Sequence, residues 1–245
     1  MSIWGKIIGG AAGFAMGGPI GALLGAAAGH AMDRMQEGIH GHGGAGGDNT
    51  RTIAFTIGVV VLSAKMAKAD GRVTRDEVET FKRIFRVPPG EERNVGRVFN
   101  MARRDAGGFE PYARQIAGLF QGAPRVLEDL LGALFAIALA DGVLHPAEER
   151  FLKQVAAIFG FSEADFARIR ESHMGRDAGD PYAILGLTRQ ASDGELKKSY
   201  HKLIRENHPD RLIAQGLPQE FIDVANDKMA AINDAWDRIE KERGL

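Results

Sequence analysis

Four blocks of different hydrophobic patterning follow one another along the chain. From Ile7 to Met32 no formally charged side chain occurs, and a background of Gly and Ala is broken by Ile7, Ile8, Phe14, Met16, Ile20, Leu23 and Leu24. As a helix this run extends about 39 Å, more than the ~30 Å hydrocarbon core of a bilayer. Residues 7–32 therefore predict a transmembrane anchor behind a short N-terminal segment, 1–6. Gly5, Gly9, Gly13, Gly17, Gly21, Gly25 and Gly29 recur at every fourth position, a ridge on one helix face where two backbones approach closely. That ridge, Gly9 to Gly29 within the span, predicts a homodimer through the anchor. Glycine at this density destabilises a water-exposed helix by about 1 kcal/mol per residue relative to alanine, whereas in lipid a helix remains the way to satisfy the backbone. A flexible Gly/Ala linker and a cleaved signal peptide headed by Lys6 are the competing readings. Lys6 on one side and Arg34 with Arg51 on the other leave the orientation undecided by charge.

Residues 33–50 have no apolar period and are dense in Gly and His, which predicts a tether. His40 and His42 lie in it without a third ligand nearby, so a solvated linker is favoured over a metal site. From Arg51 the pattern becomes that of a packed domain, 51–171, containing an internal repeat. Asp70-Gly71-Arg72-Val73-Thr74-Arg75-Asp76-Glu77 parallels Asp141-Gly142-Val143-Leu144-His145-Pro146-Ala147-Glu148. Each copy follows a long apolar stretch and precedes an amphipathic one, which predicts helix, short turn, helix twice over. Thr74 with Glu77, and His145-Pro146 with Glu148, read as helix starts. The spacing also matches the second half of a calcium loop, but the earlier ligand positions hold Met66 and Lys68 in one copy and Ile137 and Leu139 in the other, which excludes an ordinary EF-hand. Convergence of Asp70, Glu77, Asp141 and Glu148 on a cation is the alternative to capping, and capping is favoured.

A polar break, 172–180, leads into the last block, 181–245. Pro181 to Leu187 predicts a short helix, and Ser192 with Glu195 a capping box opening the next. On that second helix Leu196, Tyr200, Leu203 and Ile204 fall on one arc, while Lys197, Lys198, Lys202 and Arg205 fall opposite. His208-Pro209-Asp210 follows, then a loop through Pro218, then a third helix carrying Phe221, Ala225, Met229, Ile232, Trp236 and Ile239 at helical spacing. Tyr182, Leu185, Leu196, Tyr200, Leu203, Ile232 and Trp236 form the predicted core of this block. The proline between two short polar residues fixes a rigid turn, presenting the Asp210 carboxylate for a bidentate bond from a partner arginine. The four cations make a salt-sensitive docking face for an acidic surface. His208 beside an aspartate has no nucleophile, metal or glycine-rich loop in support, so neither an enzyme nor a cofactor is expected.

Composition narrows the classes. The 245 residues carry 31 Lys+Arg against 32 Asp+Glu, a net charge of -1, which argues against affinity built on neutralising nucleic-acid phosphates. The chain has no cysteine, which excludes a disulfide framework, a thiolate zinc site and a cysteine nucleophile.

The paired acidic turns resemble the TerB-like all-helical domain of tellurite resistance, over about Arg51 to Glu171. The Tyr-x-x-Leu-Gly start, the Leu-Lys-Lys-x-Tyr helix, His208-Pro209-Asp210 and the Ala-Ile-Asn-Asp-Ala-Trp stretch together resemble the J domain of DnaJ/Hsp40 co-chaperones, over Pro181 to Glu242. With the Met1-Ser2-Ile3-Trp4-Gly5-Lys6-Ile7-Ile8-Gly9 start, the order of parts is similar to the DjlA family of membrane-anchored DnaJ-like proteins. The glycine/histidine tether stands where a more basic stretch is expected, and the anchor is richer in glycine than expected.

That resemblance implies an all-α protein: a transmembrane helix, a TerB-like domain serving as adaptor or dimer scaffold, and a C-terminal J-domain hairpin. It implies an Hsp70, DnaK, as partner, its ATP hydrolysis stimulated through His208, Pro209, Asp210, Lys197, Lys198, Lys202 and Arg205. It also implies contact with lipid at a bacterial inner membrane. Because Hsp70 needs ATP, a single-pass chain then has its N-terminus periplasmic and its bulk cytoplasmic. The alternatives are a membrane-bound metal or stress sensor whose main function lies in the TerB-like domain, and a purely structural membrane adaptor.

Overall fold

In the computed structural model, which describes residues 18–21, 47–70, 74–85, 87, 90, 92–104, 108–174, 179–215, 217 and 221–245, every regular element among the described residues is helical. Helix α1 (Gly47–Asp70) is buried continuously from Phe55 to Ala67. A helix apolar on all sides must be enclosed by others, and α1 packs against α3 (Glu92–Arg104), α4 (Glu110–Leu119), α5 (Pro124–Ala138) and α6 (Pro146–Ile158). The charged Lys65 in its middle lies 5.3 Å from the centre of the Tyr112 ring, which faces its ammonium. Helix α5 is enclosed in the same way from Val126 to Phe135.

The repeated segments produce two helix-turn-helix units that interlock. The second helix of the first unit, α2 (Arg75–Phe85), packs on α5, while α6 packs on both α1 and α5. Glu77 accepts from the Thr74 N–H, and Thr74 Oγ1 accepts from the Glu77 N–H at 3.1 Å, closing a capping box. In the second copy Glu148 accepts from the His145 N–H at 3.0 Å and Asp141 from the Val143 N–H at 2.9 Å. Gly142 turns at φ 85°, a value L side chains rarely adopt. Among the described residues no group of three His, Asp or Glu is placed to hold a metal. Asp70 is the last residue of α1, and its side chain is outside the described ones. Helix α7 (Glu163–His173) starts at Ser162, whose Oγ accepts from the Asp165 N–H at 3.1 Å, and it rests on α5.

The C-terminal hairpin begins at α8 (Pro181–Ile184), capped by Asp180, and continues through α9 (Asp193–Glu206), α10 (Pro209–Ala214) and α11 (Ile222–Arg243). Its core joins Tyr182, Ile184, Leu185, Leu196, Leu203, Ile232, Ala235, Trp236 and Ile239, with Tyr200 and Ile204 packed against it. Tyr200 stacks on Trp236 at 4.8 Å, and its hydroxyl reaches Asn233 Oδ1 at 3.0 Å. Arg243 closes the hairpin by donating to Tyr182 Oη, Ala191 O, Asp193 Oδ1 and Arg189 O.

The apolar stripe of the third helix divides between two cores. Ile232, Trp236 and Ile239 belong to the hairpin, whereas Phe221, Val224 and Ala225 join the TerB-like body with Leu212 and Leu217. The division follows from length: α11 has 22 residues, about 33 Å, against 14 residues and about 21 Å for α9. The overhanging turns need other cover.

Most of the expected anchor, and its ridge glycines apart from Gly21, lie outside the described residues, as do His40 and His42 of the tether. Gly18 to Gly21 form one helical turn in which Ile20 is buried among the body's core residues and donates its N–H to Gln115 Oε1 at 2.9 Å. Among the described residues no helix is long and apolar enough to cross a membrane.

Candidate functional site

The turn after α9 is built locally. Asn207 ends that helix with its N–H on Leu203 O at 2.9 Å, its buried amide donating to the same carbonyl at 2.8 Å. His208 is the N-cap of α10 in extended conformation and Pro209 its first residue, a position where a missing N–H costs nothing. His208 Nδ1 accepts from the Asp210 N–H at 3.3 Å, which leaves Nε2 to carry the proton of the neutral ring. The side chains remain outward: His208 is 56% exposed and Asp210 90%. The Asp210 carboxylate is thus held by its backbone while keeping its oxygens available.

Helix α9 presents cations to solvent and its last carboxylate to the TerB-like body. Lys197, Lys198, Lys202 and Arg205 are exposed, and none of them makes an ion pair among the described residues. Glu206 instead turns toward the TerB-like body and receives Arg125 Nε at 3.1 Å. The outward cations run along α9 from Lys197 to Arg205, and the His208-Pro209-Asp210 turn follows its C-terminal end. The Ser192/Glu195 capping box fixes the other end of the helix: Ser192 N–H donates to Glu195 Oε2 at 2.8 Å. The Ser192 hydroxyl, which donates to the same oxygen at 2.7 Å, and then this N–H lower the Glu195 carboxyl below its ordinary range.

A second charged cluster lies buried between the hairpin and the TerB-like body. Arg168 clasps Glu128 with two 2.8 Å bonds, and Arg125 bridges Glu128 to Glu206. Lys228 of α11 reaches Glu128 Oε1 at 2.8 Å and Asp129 Oδ1 at 3.0 Å. Burial alone raises a carboxyl, but Lys228, Arg168 and Arg125 hold Glu128 well below the ordinary range. Asp129 has less help. Burial pushes its carboxyl up against the attraction of Lys228 and, more weakly, of Arg125, Glu128 adds to the rise, and Oδ2 has no hydrogen-bond partner among the described residues. His173, stacked on Phe135 at 5.9 Å, is lowered to about 4 by burial and by Lys228.

This cluster is absent from the sequence reading, because isolated charges on amphipathic helices pass for solvated ones. The available signal was Glu128-Asp129 inside the largely apolar α5, two adjacent carboxylates against one cation, Arg125, on the same helix, which need further cations from elsewhere in the fold.

A helical hairpin with an exposed His-Pro-Asp turn and an unpaired cationic face, seated on a second all-helical body, defines a J-domain protein. The family model for the DnaJ domain matches residues 180–243, that for tellurite resistance protein TerB residues 56–171, and that for the co-chaperone DjlA transmembrane domain residues 1–49. The chain belongs to the DjlA family of co-chaperones and is a membrane-anchored bacterial protein. It is 31% identical to the co-chaperone protein DjlA of Photobacterium profundum, over 99% of this chain and 100% of that relative. It is 30% identical to that of Shewanella oneidensis over 80% of each chain, and 29% identical to that of Coxiella burnetii over 98% of each. No solved structure matches the chain.

Proposed function

We propose that the protein docks DnaK through the His208-Pro209-Asp210 turn and the Lys197, Lys198, Lys202 and Arg205 face, and stimulates its ATP hydrolysis without catalysing a covalent step itself. The supporting observation is the exposed, backbone-fixed Asp210 just beyond a helix whose cations have no carboxylate partner among the described residues. A fixed carboxylate loses little freedom on binding, and uncompensated lysines speed encounter with an acidic surface. Residues 7–32 anchor the chain in the bacterial inner membrane as a single span and pair two chains along Gly9 to Gly29; the turn 18–21, packed here on the TerB-like body through Ile20, leaves that body when the span enters lipid. The N-terminus is periplasmic and the J domain cytoplasmic, where ATP is available. The family match over residues 1–49 supports the anchor, and the TerB-like body links it to the J domain. Nucleic acid is not a partner in this reading, since the charges of the chain balance.

The test is ATP turnover by purified DnaK with the detergent-solubilised full chain. Wild type accelerates turnover, and His208→Gln or Asp210→Asn removes the acceleration while leaving the melting midpoint unchanged. Equal stimulation by either variant refutes the assignment.

A further inference from the structure

Lys228 belongs to the J-domain helix, yet its ammonium lies among carboxylates of the other body. Its side chain is 4% exposed, between Glu128 and Asp129, which are 1% and 0% exposed. Removing an ammonium from water costs several kcal/mol unless it is fully paired, so such a lysine marks a required placement more than a source of stability. The charges around it balance: Glu128, Asp129 and Glu206 face Arg125, Arg168 and Lys228. Without Lys228, Glu128 retains two arginines, while Asp129 loses its only hydrogen-bond partner among the described residues and already has one oxygen unpaired there. The socket on α5 is complete only when the hairpin is seated in it.

The apolar contacts flanking this socket lead directly to the docking turn. Phe221 meets the Phe55 ring edge-on at 4.6 Å, and Leu212 and Leu217 are buried in the same core. Leu212 is on α10, the helix whose first residues are Pro209 and Asp210. One side of α10 is therefore fastened to the TerB-like body, while His208 and Asp210 face outward from the other.

Resting on the J-domain reading above, we infer that Lys228 is a positioning residue for DnaK stimulation. Seated between Glu128 and Asp129, it locks the J hairpin to the TerB-like body and holds the His208-Pro209-Asp210 turn in one orientation. The TerB-like domain is then half of the docking platform. An unseated hairpin presents the turn correctly only part of the time, and apparent affinity falls by that fraction. The plateau rate, set by the turn itself, is retained.

The experiment titrates full-length protein in detergent against DnaK ATP turnover and follows amide hydrogen exchange over residues 208–217. Lys228→Met raises the half-saturating concentration roughly tenfold at an unchanged plateau and accelerates exchange over 208–217. Lys228→Arg, which keeps the charge, stays close to wild type in both. Asp129→Asn added to Lys228→Met removes the stranded carboxylate and recovers part of the loss. Unchanged half-saturation in Lys228→Met, or a stimulation stronger than wild type, overturns the inference. If wild type fails to stimulate DnaK at all, the J-domain reading fails instead, and exchange over 208–217 still reports whether Lys228 seats the hairpin.

Discussion

Replacing Phe221 by alanine separates two kinds of stability that the fold combines. The ring is fully buried, 4.6 Å from Phe55 and nearly perpendicular to it, and it belongs to the core of the TerB-like body. It takes no part in the hairpin core of Tyr182, Leu196, Leu203, Ile232 and Trp236. Truncating a buried phenylalanine costs about 3–5 kcal/mol, of which the edge-to-face contact supplies about 0.5–1.5 kcal/mol. That loss falls on the coupling between the two bodies, because both rings lie where one meets the other. The chain has two tryptophans, so in a Trp4→Phe background Trp236 fluorescence reports the hairpin alone, while far-ultraviolet circular dichroism reports all helices. In urea, the parent chain shows coincident transitions by both probes. Phe221→Ala separates them, with Trp236 released at lower urea. Coincident curves with a loss below about 1 kcal/mol refute the shared core.

Neutralising Lys197, Lys198, Lys202 and Arg205 to glutamine lowers the association rate with DnaK and flattens its dependence on ionic strength, as stopped-flow binding between low and high salt measures. His173 is held neutral in the fold, its pKa lowered to about 4. The unfolded chain therefore takes up this proton first as pH falls below 6.5, and folded stability declines from there toward pH 4. His173→Gln reduces that slope in urea midpoints measured between pH 7 and pH 5, above the range where the depressed Glu128 loses its contribution. Gly132 leaves room for the same ring: a Cβ there meets His173 Nε2 at 2.7 Å. Gly132→Ala accordingly lowers stability by about 1–3 kcal/mol, and the loss largely disappears in a His173→Ala background.

The parts most legible in the sequence are those whose geometry is local. Ser192 and Glu195 stand at the spacing of a capping box and form one, and the alternation of Leu196, Tyr200 and Leu203 with lysines is enough to assign the two sides of α9. The twin acidic turns announce a duplicated helix pair because the same residues recur beside the same apolar lengths. Helices α3, α4 and α7 carry no such repeat. The single stripe from Phe221 to Ile239 looks like one face of one core, and helical periodicity cannot reveal that a 33 Å rod passes out of one core into another. Lys228 was hidden for a related reason: its partners lie about a hundred residues away on α5, and a lone lysine between Asp227 and Met229 has the pattern of a solvated position.

Helix α11 works as a common axle, clamped near Ala225 by one body and near Trp236 by the other. An α-helix advances 100° per residue. One residue inserted between those clamps turns the Trp236 end of the hairpin by about that angle against the TerB-like body, so that the α9 side of the aspartate turn is wrenched from the α10 side, which Leu212 fastens to that body. Insertion of seven residues nearly restores the angle, about 20° off, and moves the Trp236 end outward by about 10 Å. Whether the two sides of the turn meet is thus encoded in a count of residues along one helix.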